Sequence, residues 1–339
     1  MNKKNLILTI IVIEILVILI IITGSISGWF VKYNPIFEGI PTGSIVFQNT
    51  SSIFDIFSNN SYSDLYLTNT PNYFWNMNNS FSGYTEYFTN SEGLRATHDY
   101  SIEKPNDVFR IAVIGDSYTY GLYVNISDTY SEVLENKLSA LNCSKKIEVI
   151  NFGAGGADFP DEVNIFNENA RYYGANVYII TVKNDDINLI NKYWFPIYEK
   201  YDKQYNSPHI FTSEGFVKYQ EFIKKAAAEY FSKYDVNSKS WINENINKPL
   251  ITLQKVNANN AKIVIFTFGI SDNYNGAIES ETRKQNFNFL TLNYTGFWNY
   301  WDKNLSVIPE VDNHPNKAGH LFLADFLYKY IISNKMINC

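Results

Sequence analysis

Two kinds of hydrophobic pattern divide the chain. From Leu6 to Ile22 nearly every position is apolar, broken only by Thr9 and Glu14. Extended to Thr23 the run is about 18 residues, or ~27 Å of helix at ~1.5 Å per residue, close to the roughly 30 Å of a bilayer core. Glu14 sits mid-span, where an acid costs about 2.5–3.5 kcal/mol on an insertion scale; the surrounding Ile, Leu and Val offset it. A core helix would show a polar face, and this run has none. Lys3 and Lys4 precede it, so the positive-inside rule leaves the N-terminus in the cytoplasm and the rest of the chain outside. The run reads as an uncleaved signal anchor. A cleaved signal peptide is the alternative, but the run is longer than a secretory core and Thr23-Gly24-Ser25 is a weak cleavage site.

After the anchor, residues 26–90 are rich in Asn, Ser, Thr and Tyr and show no period. They read as a juxtamembrane, irregular region laid against the main domain. From Val108 the pattern changes to short apolar runs separated by helical periods. Val108–Ile114, Ile147–Asn151, Val177–Val182 and Ile263–Phe268 are short, mostly apolar runs, the pattern of strands in a covered parallel sheet. Between them, Ser127 or Asp128 starts a helix bearing Tyr130, Val133, Leu134, Leu138 and Leu141, and Pro160 opens another to about Tyr173. A last helix spans about 316–332. Strands alternating with helices predict an α/β fold with a mostly parallel sheet. The stretch between the third and fourth strands is far longer than a simple crossover needs, so an inserted helical or cap segment is expected at about 191–261. The divisions are then 1–25, 26–90 and one domain over 91–339.

Composition narrows the class. The chain has 339 residues, 45% hydrophobic and 18% charged, enough for a packed core and against disorder. Its net charge of −6 argues against nucleic acid as a partner, since phosphates demand a basic surface. Two cysteines, Cys143 and Cys339, form one bridge at most, which excludes a disulfide scaffold. The aromatic share of 17% accompanies abundant Asn, Ile and Lys, as an AT-rich genome produces. Sequons at Asn49, Asn59, Asn78, Asn125, Asn142, Asn293 and Asn304 permit glycosylation outside the cell and, in so Asn-rich a chain, do not require it.

In an open α/β sheet the reactive site lies at the carboxyl ends of the strands. Gly115-Asp116-Ser117 follows the first strand, Gly153-Ala154-Gly155-Gly156 the second, and Lys183-Asn184-Asp185-Asp186 the third. Asp312-Asn313-His314-Pro315-Asn316 precedes the last helix. A serine nucleophile needs a base, a group that orients the base, and donors for the oxyanion. Ser117 is the candidate nucleophile, His314 the base and Asp312 its orienter. The backbone N–H groups of Ser117 and Gly156, with the Asn184 amide, are the candidate oxyanion hole. Each fragment alone also reads as an ordinary turn or helix cap; their joint occurrence at successive strand ends is the signal.

On these residues the chain resembles the SGNH/GDSL hydrolase superfamily. Ser117 in Gly115-Asp116-Ser117 matches the first block, Gly156 the second, Asn184 the third and His314 the last. The lead-in Asn90-Ser91-Glu92-Gly93-Leu94-Arg95 is similar to an Asn-x-x-Gly-x-Arg element that precedes the serine strand in a large branch of that superfamily, and 312–320 to that branch's C-terminal block. The resemblance covers about 88–333. It implies a flavodoxin-like three-layer α/β/α sandwich and hydrolysis of an ester, often an acyl group on a glycan or lipid, with no cofactor. Two positions depart from the pattern. Val311 stands where the family often has its acid, so Asp312 takes the role from one position later, with Glu310 as first substitute. Val182 replaces a glycine before Asn184.

Other readings remain open on the sequence. The same site serves an O-acyltransferase, in which a sugar hydroxyl replaces water, or an inactive cell-surface scaffold that keeps the fold. A metal-dependent hydrolase would use Asp116, Asp185 and Asp186. His320 competes as base but falls inside the last helix, and His98 and His209 have no partner motif. No Gly-Lys-Ser/Thr comes after the glycines of the second strand, which speaks against a nucleotide. No Gly-x-Ser-x-Gly surrounds Ser117, which speaks against the α/β-hydrolase elbow.

Overall fold

The computed structural model describes residues 71–72, 74–79, 83–141, 143–187, 197, 200, 224–235, 238–256, 261–270, 272–292, 297–308 and 312–337. The apolar run at 6–22 lies outside the described residues, as do His209 and the aromatics Tyr193, Trp194, Phe195 and Tyr198 within the expected insertion. Among the described residues no helix is long and apolar enough to cross a membrane.

The centre is a five-stranded, all-parallel sheet. Its strands are β3 (Val108–Gly115), β4 (Lys146–Gly153), β5 (Val177–Val182), β6 (Lys262–Phe268) and β7 (Asn288–Leu292), in the order β4-β3-β5-β6-β7. Counted within the sheet this is 2-1-3-4-5, the flavodoxin-like order, whose switch point lies between β3 and β5. The apolar runs owe their continuity to burial on both faces. Ala112, Ile114, Ile150, Phe152, Tyr178, Ile180, Ile263 and Ile265 pack into one core layer. Their neighbours Ile111, Val113, Ile147, Val149, Val177, Ile179, Val264 and Phe266 pack into the other.

Helices cover each face. On the first lie α3 (Phe159–Glu168), with Pro160 in its first turn as expected, and α5 (Lys248–Val256). On the second lie α2 (Tyr130–Ser139) and α8 (Lys317–Ser333), through Leu134, Leu138, Leu323 and Leu327. The remaining helices, α1 (Ser117–Tyr120), α4 (Asn184–Ile187), α6 (Asp272–Lys284) and α7 (Phe297–Asn304), occupy strand ends and connections. The described part of the long stretch before β6 is helical at 224–233 and again from Lys239–Ile242 through a π-helical turn into α5. Ala226, Tyr230, Ile246, Leu250 and Leu253 bury into the first core layer, so this part is integral to the sandwich and supplies the β5-to-β6 crossover.

Residues 74–88, expected to be irregular, instead hold an antiparallel hairpin of β1 (Phe74–Asn79) and β2 (Gly83–Phe88). Its period of two is visible in β2, where Thr85 and Tyr87 are buried while Tyr84 is exposed. Phe74 and Phe88, opposite one another in register, pack ring against ring at 4.8 Å. A second small pair, β8 (Ser306–Ile308) with β9 (Asp312–Pro315), leads into α8. Away from the strand ends, the buried Arg110 guanidinium holds Glu148 at 2.7 Å and donates to the carbonyls of Ser101 and Tyr173. Cys143 is disulfide-bonded; the chain's other cysteine, Cys339, lies outside the described residues.

Candidate active site

β3 ends at Gly115, and Asp116 caps the single turn α1, its Oδ1 accepting from the Tyr118 N–H at 2.9 Å. A side-chain oxygen at this position satisfies a helix-start donor that has no partner within the helix. Ser117 is therefore the first residue of α1, displayed at the sheet's carboxyl edge. Two glycines let this turn sit so close to the sheet. A Cβ at Gly115 would lie 2.1 Å from Thr119 Oγ1, and one at Gly153 2.1 Å from the Tyr120 nitrogen. Beneath, Asn151 Nδ2 donates to the Thr119 carbonyl at 2.8 Å, and the Tyr130 hydroxyl donates to Thr119 Oγ1 at 2.9 Å. These buried bonds fix α1 on the ends of β3 and β4.

The structure brings Ser117 and His314 together: Oγ lies 2.8 Å from Nε2, across 197 positions of sequence. In the tautomer with its proton on Nδ1, the imidazole accepts the serine hydrogen, the arrangement a general base needs. His314 is on β9, half-buried. The preceding residue is fixed twice, since the Tyr118 hydroxyl and Trp301 Nε1 both donate to the Asn313 carbonyl, at 2.8 and 2.9 Å. Tyr118 also bonds the Asn313 side chain. The His314 ring lies 4.9 Å from Tyr118 and 5.5 Å from Tyr123, the latter edge-on at 83°.

Gly156 lies just past β4 with φ of +79°, a conformation suited to glycine, and its amide belongs to the same edge. Asn184 opens α4 directly after β5, and Asp312 opens β9 two positions before His314. Both backbones thus lie on the site's own elements, and the side chains of Asn184 and Asp312 fall outside the described part of the structure.

Lys183 has no role in the sequence reading, yet it is central here. It is buried at the end of β5, and its Nζ lies 2.8 Å from Asp116 Oδ2, 3.8 Å from Asp186 Oδ1 and 4.1 Å from the centre of the Tyr118 ring. Asp186 in turn accepts from the Lys183 N–H at 2.6 Å. One lysine thus ties the turn of Ser117 to the turn that carries Asn184. Glu162, on α3 nearby, is fully buried, and neither carboxylate oxygen is bonded to a group among the described residues. Burial first, then the charges of Asp186 and Asp116, pushes its carboxyl well above the usual range. Sequence signals existed only for Lys183, a charge directly after an apolar strand; Tyr118, Asn151 and Trp301 look like ordinary core or turn residues.

Asp116 and Asp186, two of the acids a metal-dependent hydrolase would use, both face this lysine. Among the described residues no group of three or more His, Cys, Asp or Glu is placed to hold a metal. His320 is fully buried in α8, its Nδ1 accepting from the first N–H of α2, on Tyr130, at 3.2 Å. It caps a helix, and the imidazole within hydrogen-bond distance of Ser117 is that of His314. Exposed His98 packs on Tyr100 at 4.5 Å.

No family model matches the chain and no curated protein does. Among solved structures it is similar to a lipolytic protein of the G-D-S-L family from Desulfitobacterium hafniense DCB-2, at 17% identity, over 65% of this chain and 98% of that one, with a TM-score of 0.37. A psychrotrophic esterase from a Pseudoalteromonas species is 14% identical, over 66% and 97%, with a TM-score of 0.41. An acetyl xylan esterase is 17% identical, over 66% and 100%, with a TM-score of 0.38.

Proposed function

We propose that this protein is a serine hydrolase of carboxylic esters. The observation that carries the reading is the Ser117 Oγ to His314 Nε2 distance of 2.8 Å at the carboxyl edge of a parallel sheet, beside the switch point where such folds bind ligands. In this reading Ser117 Oγ attacks the acyl carbonyl as His314 Nε2 takes its proton. The N–H groups of Ser117 and Gly156 and the Asn184 amide hold the oxyanion. His314 then returns the proton to the departing alcohol, leaving an acyl-serine that water cleaves by the reverse sequence. Asp312 orients the imidazole through Nδ1. The Asp116–Lys183 pair takes no proton in this scheme; it keeps the serine's turn and the asparagine's turn in register.

The substrate class we favour is an O-acyl ester on a glycan or lipid, in line with the sequence resemblance. An exported, membrane-tethered protein is supported by the apolar run at 6–22 behind Lys3 and Lys4. The bonded state of Cys143 agrees, because disulfides persist in oxidising compartments.

The test is direct. The full chain should turn over p-nitrophenyl acetate in the presence of a chelator and take one fluorophosphonate label. Ser117→Ala should lose both while melting at nearly the wild-type temperature. Turnover retained by Ser117→Ala would end the serine mechanism, and turnover lost to the chelator alone would favour a metal.

A further inference from the structure

Tyr123 has a backbone that its side chain disfavours. Its φ is +70°, in the left-handed region where the Cβ of an L-residue crowds the carbonyl oxygen. Of the other described non-glycine residues with positive φ, two are asparagines, which tolerate the region, and the third is Lys335, just past the end of α8. Glycine would adopt this φ freely. A conformation of this kind persists only where the surroundings over-determine it.

Here they do. The Tyr123 N–H donates to the Tyr87 hydroxyl at 2.7 Å, and its carbonyl accepts from Thr85 Oγ1 at 3.4 Å. The buried Arg95 guanidinium bonds the carbonyls of Tyr120, Gly121 and Val124, on both sides of Tyr123. Its carbon lies 4.3 Å from the centre of the Tyr87 ring and 4.9 Å from that of Tyr120. Asn90 shapes the turn that delivers Arg95, its Oδ1 accepting from the N–H groups of Glu92 and Leu94 at 3.0 and 2.9 Å. So the Asn90–Arg95 element and the second strand of the hairpin jointly clamp this loop.

The clamped loop places the Tyr123 ring beside His314. Tyr123 meets His314 edge-on, with centroids 5.5 Å apart, while Tyr118 lies 4.9 Å from the same imidazole. We infer that Tyr123 is a positioning residue: its ring, forced into place against backbone preference, fixes the plane of His314 so that Nε2 stays aimed at Ser117. The inference rests on the serine-hydrolase reading, and it gives the Asn90–Arg95 element a role in catalysis through the loop it holds.

Three variants of the full chain test it: Tyr123→Phe, Tyr123→Ala and Tyr123→Gly. Alanine removes the ring and keeps the strain; glycine removes both. The glycine variant should melt roughly 2–4 °C above the alanine variant, the mark of relieved strain. Both should lose roughly 10–100-fold in kcat with KM unchanged, the order expected for a displaced general base. The loss should be equal for p-nitrophenyl acetate and butyrate, and fluorophosphonate labelling should slow in parallel. Tyr123→Phe, which keeps the ring, should restore kcat to within about twofold of wild type. Wild-type kcat in the glycine variant would overturn the inference. So would a loss confined to KM, or one that differs between the two esters, since either would make Tyr123 a pocket wall. In both cases a wild-type chain that hydrolyses and labels leaves the serine reading standing. A wild-type chain that does neither overturns both.

Discussion

Moving the protein from about pH 7.5 to about pH 5 should cost it stability through one buried side chain, His320. Burial, then the charge of Arg95 and the nearby His314, lowers its pKa from the ordinary 6.5 to about 3. Between those values the unfolded chain binds a proton at this position and the folded chain does not, so stability rises with pH and is lost as pH falls. At about pH 5 the gap to 6.5 is ~1.5 units, and at 1.36 kcal/mol per unit the loss is about 2 kcal/mol. Carried down to the folded value of about 3, it approaches about 5 kcal/mol. Other groups act in the opposite sense. The Glu132 carboxyl is raised to about 7 by burial and by Glu135, and a raised carboxyl in the folded state favours folding as pH falls. Comparison with a variant removes such terms. His320→Asn keeps an acceptor near the Nδ1 position for the Tyr130 N–H and has nothing to titrate. Urea unfolding at the two pH values should show the wild type losing about 2 kcal/mol more than the variant. Equal losses in both proteins would refute the reasoning, because a neutral, buried His320 would then not be what the folded state requires.

Two further outcomes are expected. Lys183→Met leaves the buried Asp116 without its cation, as its Nζ lies 2.8 Å away in the wild type; it should lose about 3–5 kcal/mol in urea unfolding, with part restored by adding Asp116→Asn. A loss under about 1 kcal/mol would place this pair in water-like surroundings. Asn184→Ala should lower kcat by roughly 10²–10³-fold with KM little changed, as loss of one oxyanion donor does; a rise in KM alone would assign Asn184 to binding.

The sheet was legible because burial on both faces leaves mostly apolar runs, broken in β3 and β4 by the buried Arg110, Glu148 and Asn151, and Val177–Val182 even keeps its bounds. The edge strand β7 was not, since Asn288–Leu290 are only half-buried and mix polar with apolar residues. The hairpin hid for a related reason: its alternation in β2 rests on Thr85 and Tyr87, and tyrosine occurs on both faces of the strand, buried at Tyr87 and exposed at Tyr84. In the site, the fragments holding Ser117 and His314 could be read because each sits where a strand ends or a helix begins. Their supports could not. Arg95 stands in a visible motif and Lys183 as a charge after an apolar strand, but what they hold, like the contacts of Tyr87, Asn151 and Trp301, runs through carbonyls, rings and charges that only the fold brings near. His320 shows the converse, a histidine in a matching sequence block that the packing of α8 against α2 turns into a helix cap.

On the serine-hydrolase reading proposed above, the separation of 197 positions between Ser117 and His314 bears on how activity would arise. A chain is made from its N-terminus, so the turn of Ser117, its glycines and Lys183 are complete long before His314 is added. A nascent chain that ends short of β9 carries Ser117 without His314. The Ser117–His314 contact requires β9, which leads into α8, to be in place at the sheet edge. On the proposed reading, the chemistry therefore waits for a residue 197 positions downstream of the serine.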